Sequence, residues 1–214
     1  MKKAITIVGF GDSITLASRQ VHEHKWLQVL GNLLKQDIPG ADIAVVNSGV
    51  GGNTSREGLA RITEDVVAHR PDWVLVQFGG NDATRDQARH VPLEEYGANL
   101  EEIRATLLRE TSARLALLTF PPIIEEWHAY GNDEFYRERG GQDAFVERYR
   151  QTTRDFARRY GILLVDIAAT LRQAADRDGD GTYILPDGVH LTTVGNRVVA
   201  ETVHAALAPV LKAH

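Results

Sequence analysis

The segment Gly11–Ile14, which reads Gly-Asp-Ser-Ile, places a serine directly after an apolar run, Ile5–Phe10. An apolar run of this length that ends in a glycine-containing turn is typical of a buried strand followed by a sharp corner. A serine at such a corner presents its hydroxyl at the carboxyl edge of the sheet, where open α/β proteins bind their ligands. Serine needs a base, an orienting group and an oxyanion hole to act as a nucleophile. Ser13 is therefore the candidate nucleophile, with a helix N-cap as its alternative role.

Asp187 and His190 supply a candidate base and its orienting group. They lie three residues apart across a glycine turn, Pro186–His190, just before the last predicted helix. At this spacing the carboxylate can hold the imidazole in one tautomer and stabilise its cationic form, which leaves the other ring nitrogen to take a proton. Of the eight histidines, His190 is the one with an aspartate at this spacing in a glycine turn.

Two further segments, Asn47–Thr54 and Gly79–Asp82, follow the second and third apolar runs. The first is rich in glycine, so its backbone N–H groups can point at a ligand as in an oxyanion hole. In the second, the amide of Asn81 can donate a hydrogen bond to developing negative charge. Each segment read alone also fits a turn whose polar residue caps the next element.

Five short apolar runs alternate with longer amphipathic segments along the chain. The runs are nearly continuous in Val, Ile and Leu, as in parallel strands that are covered on both faces. This alternation predicts a three-layer α/β/α sandwich with right-handed crossovers, in a single domain that spans residues 1–214. The predicted strands are Ile5–Phe10, Ile43–Asn47, Trp73–Phe78, Leu115–Phe120 and Ile162–Asp166. The predicted helices are Lys25–Gln36, Thr54–His69, Leu93–Thr111, Gln142–Tyr160 and Thr192–Leu211.

The composition narrows the class of protein. The chain has 214 residues, a net charge of −5 and no cysteine, so it offers neither a disulfide nor a thiolate metal site. Lysine and arginine form no run, which argues against nucleic acid and anionic membranes as partners. The apolar stretch that follows Met1–Lys3 is too short for a signal peptide, and no stretch approaches the roughly 18 apolar residues of a membrane span. We therefore expect a soluble, cytoplasmic protein.

The four polar segments, in this order between residue 9 and about residue 200, resemble the four sequence blocks of the SGNH, or GDSL, hydrolase superfamily. The resemblance implies a flavodoxin-like sheet of about five parallel strands and a reaction that passes through an acyl-enzyme. It implies Ser13 as the nucleophile and Asp187 and His190 as the rest of a catalytic triad. The backbone N–H groups of Ser13 and Gly52 and the amide of Asn81 would form the oxyanion hole. No cofactor and no metal ion are implied.

The stretch Arg70–Val74 and the segment Gly79–Asp82 are most similar to bacterial members that remove acetyl groups from carbohydrates. We therefore expect a small-molecule ester substrate with a short acyl group, and O-acetylated carbohydrates as its class. A long connection over residues 121–141 contributes aromatic side chains that either contact the substrate or cover the sheet edge. The candidate substrate-binding residues are Asp12, Trp127, Tyr130 and Phe135.

Several alternatives stay open. A simple short-chain carboxylesterase, a lysophospholipase or an acyltransferase would use the same triad. Gly9 and Gly11 begin a dinucleotide-binding fingerprint, typical of a non-catalytic nucleotide-binding module, although Ile14 occupies the third glycine position. Asp176–Gly181 reproduces the first half of a calcium-binding EF-hand loop, but the twelfth position is Asp187 instead of glutamate.

Overall fold

A parallel sheet of five strands forms the centre of the computed structural model, which describes residues 3–213. The strands are β1 (Lys3–Gly11), β2 (Ala41–Gly49), β3 (Trp73–Gln77), β4 (Arg114–Leu118) and β5 (Leu163–Val165). Their order is β2-β1-β3-β4-β5, and every neighbouring pair is parallel. The strand order reverses between β1 and β3, which is where open α/β sheets bind ligands at the carboxyl ends of their strands.

Helices cover the two faces of this sheet. They are α1 (Ser13–Leu16), α2 (Trp26–Asp37), α3 (Ser55–Asp65), α4 (Leu93–Glu110), α5 (Glu134–Arg137), α6 (Gln142–Tyr160), α7 (Ile167–Asp178) and α8 (Thr193–Lys212). Helix α8 packs against α2 and α7 in one layer, and α4 packs against α3 and α6 in the other. The predicted α/β/α architecture with about five parallel strands is thus confirmed. Within residues 3–213, no helix has the length and apolar character needed to cross a membrane.

The glycines of β1 serve the packing of the fold. A Cβ atom on Gly9 would lie 2.4 Å from a Leu27 methyl of α2, and one on Gly11 would lie 2.4 Å from the carbonyl oxygen of Gln77 on β3. Both positions therefore need glycine because neighbouring elements approach the strand closely. This packing accounts for the two glycines that suggested a dinucleotide-binding fingerprint.

Helix α3 begins directly after the glycine-rich loop and fixes the end of that loop. The Thr54 hydroxyl accepts a hydrogen bond from the backbone N–H of Glu57 at 3.3 Å, and the Glu57 carboxylate accepts one from the Thr54 N–H at 2.7 Å. This reciprocal pair is a capping box. The helix is shorter than predicted because the chain leaves helical geometry at Val66 and forms a separate 3-10 turn, Val67–His69.

Helix α7 was missed by the sequence prediction, and its presence overturns the EF-hand alternative. Asp176 and Asp178 lie in the last turn of this helix, whereas an EF-hand needs its ligands on an extended loop. The side chain of Asp178 instead accepts a hydrogen bond from the Tyr183 hydroxyl. The described part of the chain places no group of three or more His, Asp or Glu side chains where they could hold a metal ion.

Candidate active site

Ser13 is the first residue of α1, the short helix that follows β1. Asp12 caps this helix through its Oδ1 atom, which accepts a hydrogen bond from the Ile14 N–H at 2.9 Å. The indole N–H of Trp26 donates to the Ile14 carbonyl at 3.0 Å and joins α1 to α2. Neighbouring side chains therefore hold the helix, and the Ser13 hydroxyl is free to lie 3.0 Å from Nε2 of His190.

His190 and Asp187 lie on the turn that precedes α8. Nδ1 of His190 is 2.7 Å from Oδ2 of Asp187, while Oδ1 accepts from the backbone N–H groups of Val189 at 3.1 Å and His190 at 2.9 Å. Burial acts to raise the pKa of Asp187, but these hydrogen bonds outweigh it and hold the pKa below its usual value. The charged carboxylate keeps a proton on Nδ1, which leaves Nε2 to accept the proton of Ser13.

Gly188 allows the connection over residues 121–141 to pack directly on this turn. Its φ angle is +75°, a left-handed conformation that favours glycine. A Cβ atom at this position would lie 2.5 Å from the Ile124 carbonyl oxygen, and the Ile124 N–H donates to the Gly188 carbonyl at 2.8 Å. The turn that carries Asp187 and His190 is thus held from outside by the long connection.

The glycine-rich loop lies beside Ser13. A Cβ atom on Gly51 would be 4.0 Å from the Ser13 Cβ. Gly52 adopts a φ angle of +79°, and no described atom lies within 4 Å of the place where its Cβ would stand. The Asn81 amide donates to the carbonyl of Asn53 at 3.1 Å, so it adjoins the residue that follows Gly52 and keeps a second N–H for a ligand. Across residues 3–213, no acceptor pairs with the backbone N–H of Ser13 or Gly52. Three N–H groups near Ser13 therefore remain available as hydrogen-bond donors, as the predicted oxyanion hole requires.

Asp82 joins the two loops that carry these donors. Its Oδ1 accepts hydrogen bonds from the N–H and the hydroxyl of Ser55, at the start of α3, and its Oδ2 accepts from the Gly79 N–H at 3.0 Å. Asn99 donates to the Ser55 hydroxyl at 2.9 Å and completes the network. Burial raises the pKa of Asp82 to about 6, although the hydrogen bonds act against this rise. The network fixes the loop that contains Asn81 against the start of α3.

The structure corrects the prediction that Asp12 contacts the substrate. The side chain is fully buried, and its Oδ2 accepts a hydrogen bond from the Gln77 amide at 3.3 Å. The Thr15 hydroxyl in turn donates to the side-chain amide oxygen of Gln77, Oε1, at 3.1 Å. Because Asp12 turns inward to cap α1, it supports Ser13 from within the fold and has no access to a ligand.

The buried Asp12 carboxyl predicts a pH dependence of stability. Burial raises its pKa from 3.8 to about 7, with hydrogen bonds from Ile14 and Gln77 acting in the opposite direction. The folded protein therefore binds this proton more tightly than the unfolded chain, so the contribution to stability is complete below about pH 4 and is lost as pH rises through 7. We expect the free energy of unfolding of Asp12→Asn to fall less between pH 5 and 8 than that of the wild type, by on the order of 2 kcal/mol.

Urea titrations at several pH values measure this difference. Asp42→Asn, at an exposed position, is the matched control and should keep the pH dependence of the wild type. An Asp12→Asn variant whose stability changes with pH as much as that of the wild type would refute the assignment.

A cavity of about 600 Å³ opens beside the triad. Asn81 and Val189 line it on the side of the candidate active site, and Tyr130 lines it on the side of the long connection. Its volume lies within the range typical of small-molecule sites, roughly 300–1,000 Å³. The cavity therefore joins the predicted contact residue Tyr130 to the candidate oxyanion donor.

The other two predicted aromatic contacts lie outside this cavity lining. The Phe135 ring packs edge-on against Phe145 at 5.6 Å, and the Arg139 guanidinium covers it at 3.8 Å. Trp127 lies on the surface, where 40% of the residue is exposed. Phe135 therefore serves the packing of the connection, which is the alternative that the sequence left open for this segment.

Two arginines line the cavity, and both are neutralised by partners. Arg85 pairs with Asp133 at 3.0 Å and its guanidinium lies 4.5 Å from the centre of the Tyr130 ring. Arg89 pairs with Glu57 at 3.1 Å. The cavity is thus polar without a free guanidinium to attract an anionic ligand.

Comparison with known proteins identifies the family of the chain. The chain matches the model of the GDSL-like lipase/acylhydrolase family over residues 10–198. The chain belongs to this family. It is therefore a carboxylic ester hydrolase, which confirms the enzyme class and the family resemblance predicted from the sequence.

Relatives of this GDSL-like enzyme include proteins with named activities. It is 28% identical over 208 residues to an acetylxylan esterase of Geobacillus stearothermophilus, covering 89% of this chain and 88% of the relative. It is 32% identical over 209 residues to a GDSL esterase/lipase of Arabidopsis thaliana, covering 91% and 82%. Among solved structures, a variant of an acetyl-xylooligosaccharide esterase from Geobacillus superposes with a TM-score of 0.78 at 25% identity, covering 97% of this chain and 95% of the other.

Sequence reasoning missed two polar residues of the GDSL-like enzyme's cavity, His128 and Gln142. Neither residue belongs to a sequence motif, and aromatic residues are the main feature of the long connection in the sequence. The one available signal was position: His128 lies within that connection, and Gln142 begins α6 directly after it.

Proposed function

We propose that this enzyme hydrolyses short-chain esters, chiefly acetyl esters of carbohydrates, through an acyl-enzyme on Ser13. The observation that carries the proposal is the continuous chain of contacts from Asp187 to His190 at 2.7 Å and from His190 to Ser13 at 3.0 Å. This is the geometry that activates a serine hydroxyl. The acetylxylan esterase relative supports the acetyl group and the carbohydrate as parts of the substrate.

In the first half of the reaction, Nε2 of His190 takes the proton of the Ser13 hydroxyl while Oγ attacks the ester carbonyl carbon. The N–H groups of Ser13 and Gly52 and the amide of Asn81 stabilise the negative charge on the carbonyl oxygen. When the tetrahedral intermediate collapses, His190 gives its proton to the leaving alcohol oxygen and the acyl group stays on Ser13.

In the second half, a water molecule replaces the alcohol. His190 takes one proton from this water as its oxygen attacks the acyl carbon, and the same three donors hold the oxyanion. His190 then returns the proton to Oγ of Ser13 as the carboxylic acid leaves. Asp187 stays ionised throughout and stabilises the imidazolium that forms in each half.

The space around Ser13 supports a short acyl group. The hollow between Ser13, Ala17 and His190 has a volume of about 10 Å³, which is room for about one water molecule. An acetyl methyl group is close to this size, so the hollow favours a short acyl group over a long one. The polar lining of the neighbouring cavity likewise favours a hydroxylated alcohol over the fatty chain of a lysophospholipid.

A panel of esters tests this proposal. We expect kcat/KM for p-nitrophenyl esters to be highest for acetate and to fall with each added CH₂ group, and we expect acetate release from acetylated xylo-oligosaccharides. Faster hydrolysis of p-nitrophenyl octanoate than of p-nitrophenyl acetate would overturn the proposed preference for a short acyl group. Hydrolysis of p-nitrophenyl acetate without release of acetate from any acetylated saccharide would overturn the proposal that the substrate is a carbohydrate ester.

Asn81→Ala tests the oxyanion hole separately. Loss of one donor of this kind costs about 10²- to 10³-fold in kcat. We expect a decrease of this size with little change in KM, because the oxyanion forms only during the reaction. Asn32→Ala, on the exposed side of α2, is the matched control. An Asn81→Ala variant that retains the wild-type kcat would exclude Asn81 from the oxyanion hole.

A further inference from the structure

The cavity beside the triad contains two polar side chains that the proposed mechanism does not use. Gln142 is the first residue of α6, and His128 belongs to the connection that packs on the triad turn. The backbone of His128 lies close to Gly188, since a Cβ atom on this glycine would be 2.9 Å from the His128 nitrogen. Both side chains therefore line the cavity that adjoins the turn carrying Asp187 and His190.

The Gln142 amide lacks a hydrogen-bond partner for its oxygen. The residue is only 6% exposed, and Oε1 makes no hydrogen bond to any described residue. A buried carbonyl oxygen without a partner is unfavourable, and such groups call for a ligand or another explanation. The Gln142 side chain nevertheless adjoins the ring of His128, so the two polar groups lie next to each other in the cavity lining.

His128 presents a hydrogen-bond donor to the same space. Its Nδ1 atom accepts the backbone N–H of Tyr130 at 3.3 Å, so the neutral ring carries its proton on Nε2. Burial lowers the pKa of His128 below its usual value, against the opposing effects of the nearby Gln142 and Asp187 side chains. The ring is therefore neutral at pH 7 and offers one N–H.

We propose that Gln142 and His128 form the subsite for the alcohol part of the substrate and together bind the hydroxyl group next to the scissile ester on a carbohydrate. A hydroxyl group is both a donor and an acceptor, so it can donate to Oε1 of Gln142 and accept from Nε2 of His128. Neither side chain carries a charge, and the neighbouring Arg85 is paired with Asp133, so the subsite suits a neutral sugar. This inference rests on the proposed carbohydrate esterase function.

The test compares two substrates on the same protein. Methyl 2-O-acetyl-xylopyranoside has a hydroxyl group beside its ester, and p-nitrophenyl acetate has none. We expect Gln142→Met to lower the ratio of their kcat/KM values about tenfold, the size of one hydrogen bond. We expect His128→Phe to lower the same ratio, because it removes the donor from a half-exposed position. Gln151→Met, on the exposed side of α6, should keep the wild-type ratio and is the matched control.

The 3-deoxy analogue of the acetylated xyloside adds a second measurement, made on the wild type and on Gln142→Met. Loss of the hydroxyl should cost the wild type about tenfold in kcat/KM and should cost Gln142→Met much less. Equal losses in both proteins, or an unchanged ratio in Gln142→Met and His128→Phe, would overturn this subsite. If the wild type hydrolyses p-nitrophenyl acetate but not the xyloside, the proposed carbohydrate substrate is wrong, and the proposed subsite is wrong with it.

Discussion

Replacing Ser13 by alanine is expected to lower kcat by about 10⁴-fold or more and to leave the fold intact. The loss follows from removal of the atom that attacks the ester, and no other serine lies within hydrogen-bond distance of His190 among the described residues. The fold should survive because α1 is capped by Asp12, and because the Ser13 hydroxyl bonds to no residue other than His190 within residues 3–213. Release of acetate from p-nitrophenyl acetate and thermal unfolding measure the two effects.

Ser18→Ala is the matched control for this change. Ser18 lies five residues further along the chain on an exposed turn, and its replacement should change neither kcat nor the melting temperature. A Ser13→Ala variant that turns over acetyl esters at more than a small fraction of the wild-type rate would show that another group is the nucleophile.

Replacing His190 by alanine should lower kcat about as far as Ser13→Ala, by about 10⁴-fold or more. The two residues act as a unit, because the serine is not activated without the base and the base has no function without the serine. The Ser13→Ala/His190→Ala double variant should therefore be no slower than either single variant. Additive losses would indicate that the two side chains act in separate steps.

Sequence alone was sufficient for the parts of the site that depend on the ends of strands. The apolar runs marked the five strands, and the carboxyl ends of parallel strands meet at one edge. This is why Ser13, the loop around Gly52 and Asn81 could be expected to lie together although up to 68 residues separate them. The pairing of Asp187 with His190 was equally accessible, because a local turn brings the two side chains together.

The direction in which a side chain points could not be predicted from the sequence in the same way. Asp12 precedes the nucleophile, and its position alone suggested contact with the substrate. In the fold, the start of α1 needs an acceptor for its free backbone N–H groups, and Asp12 supplies it from the buried side. A polar residue beside a nucleophile can thus be a buried capping residue or a ligand-binding residue. Sequence alone does not distinguish these two roles.

Contacts between elements that are distant in the sequence also could not be predicted. Asp82 accepts hydrogen bonds from Ser55, which is 27 residues away, and Gln142 reaches the cavity because α6 begins against the long connection. Such pairs depend on how helices pack on the sheet, and no local pattern in a single sequence records that packing. Helix α7 is a different case, because it has a local signal: Asp166 caps it, and Ile167, Leu171 and Ala174 form its buried face.

The central claim is that the acyl group is carried by Ser13, and a stable covalent adduct tests it most directly. A small fluorophosphonate loses fluoride to an activated serine and leaves a phosphonyl group on its oxygen, with a geometry similar to the tetrahedral intermediate. After inactivation of the wild type and proteolysis, mass spectrometry should place one phosphonyl group on Ser13, and the Ser13→Ala variant should take up none. A phosphonyl group on another residue, or full inactivation without modification of Ser13, would contradict the account.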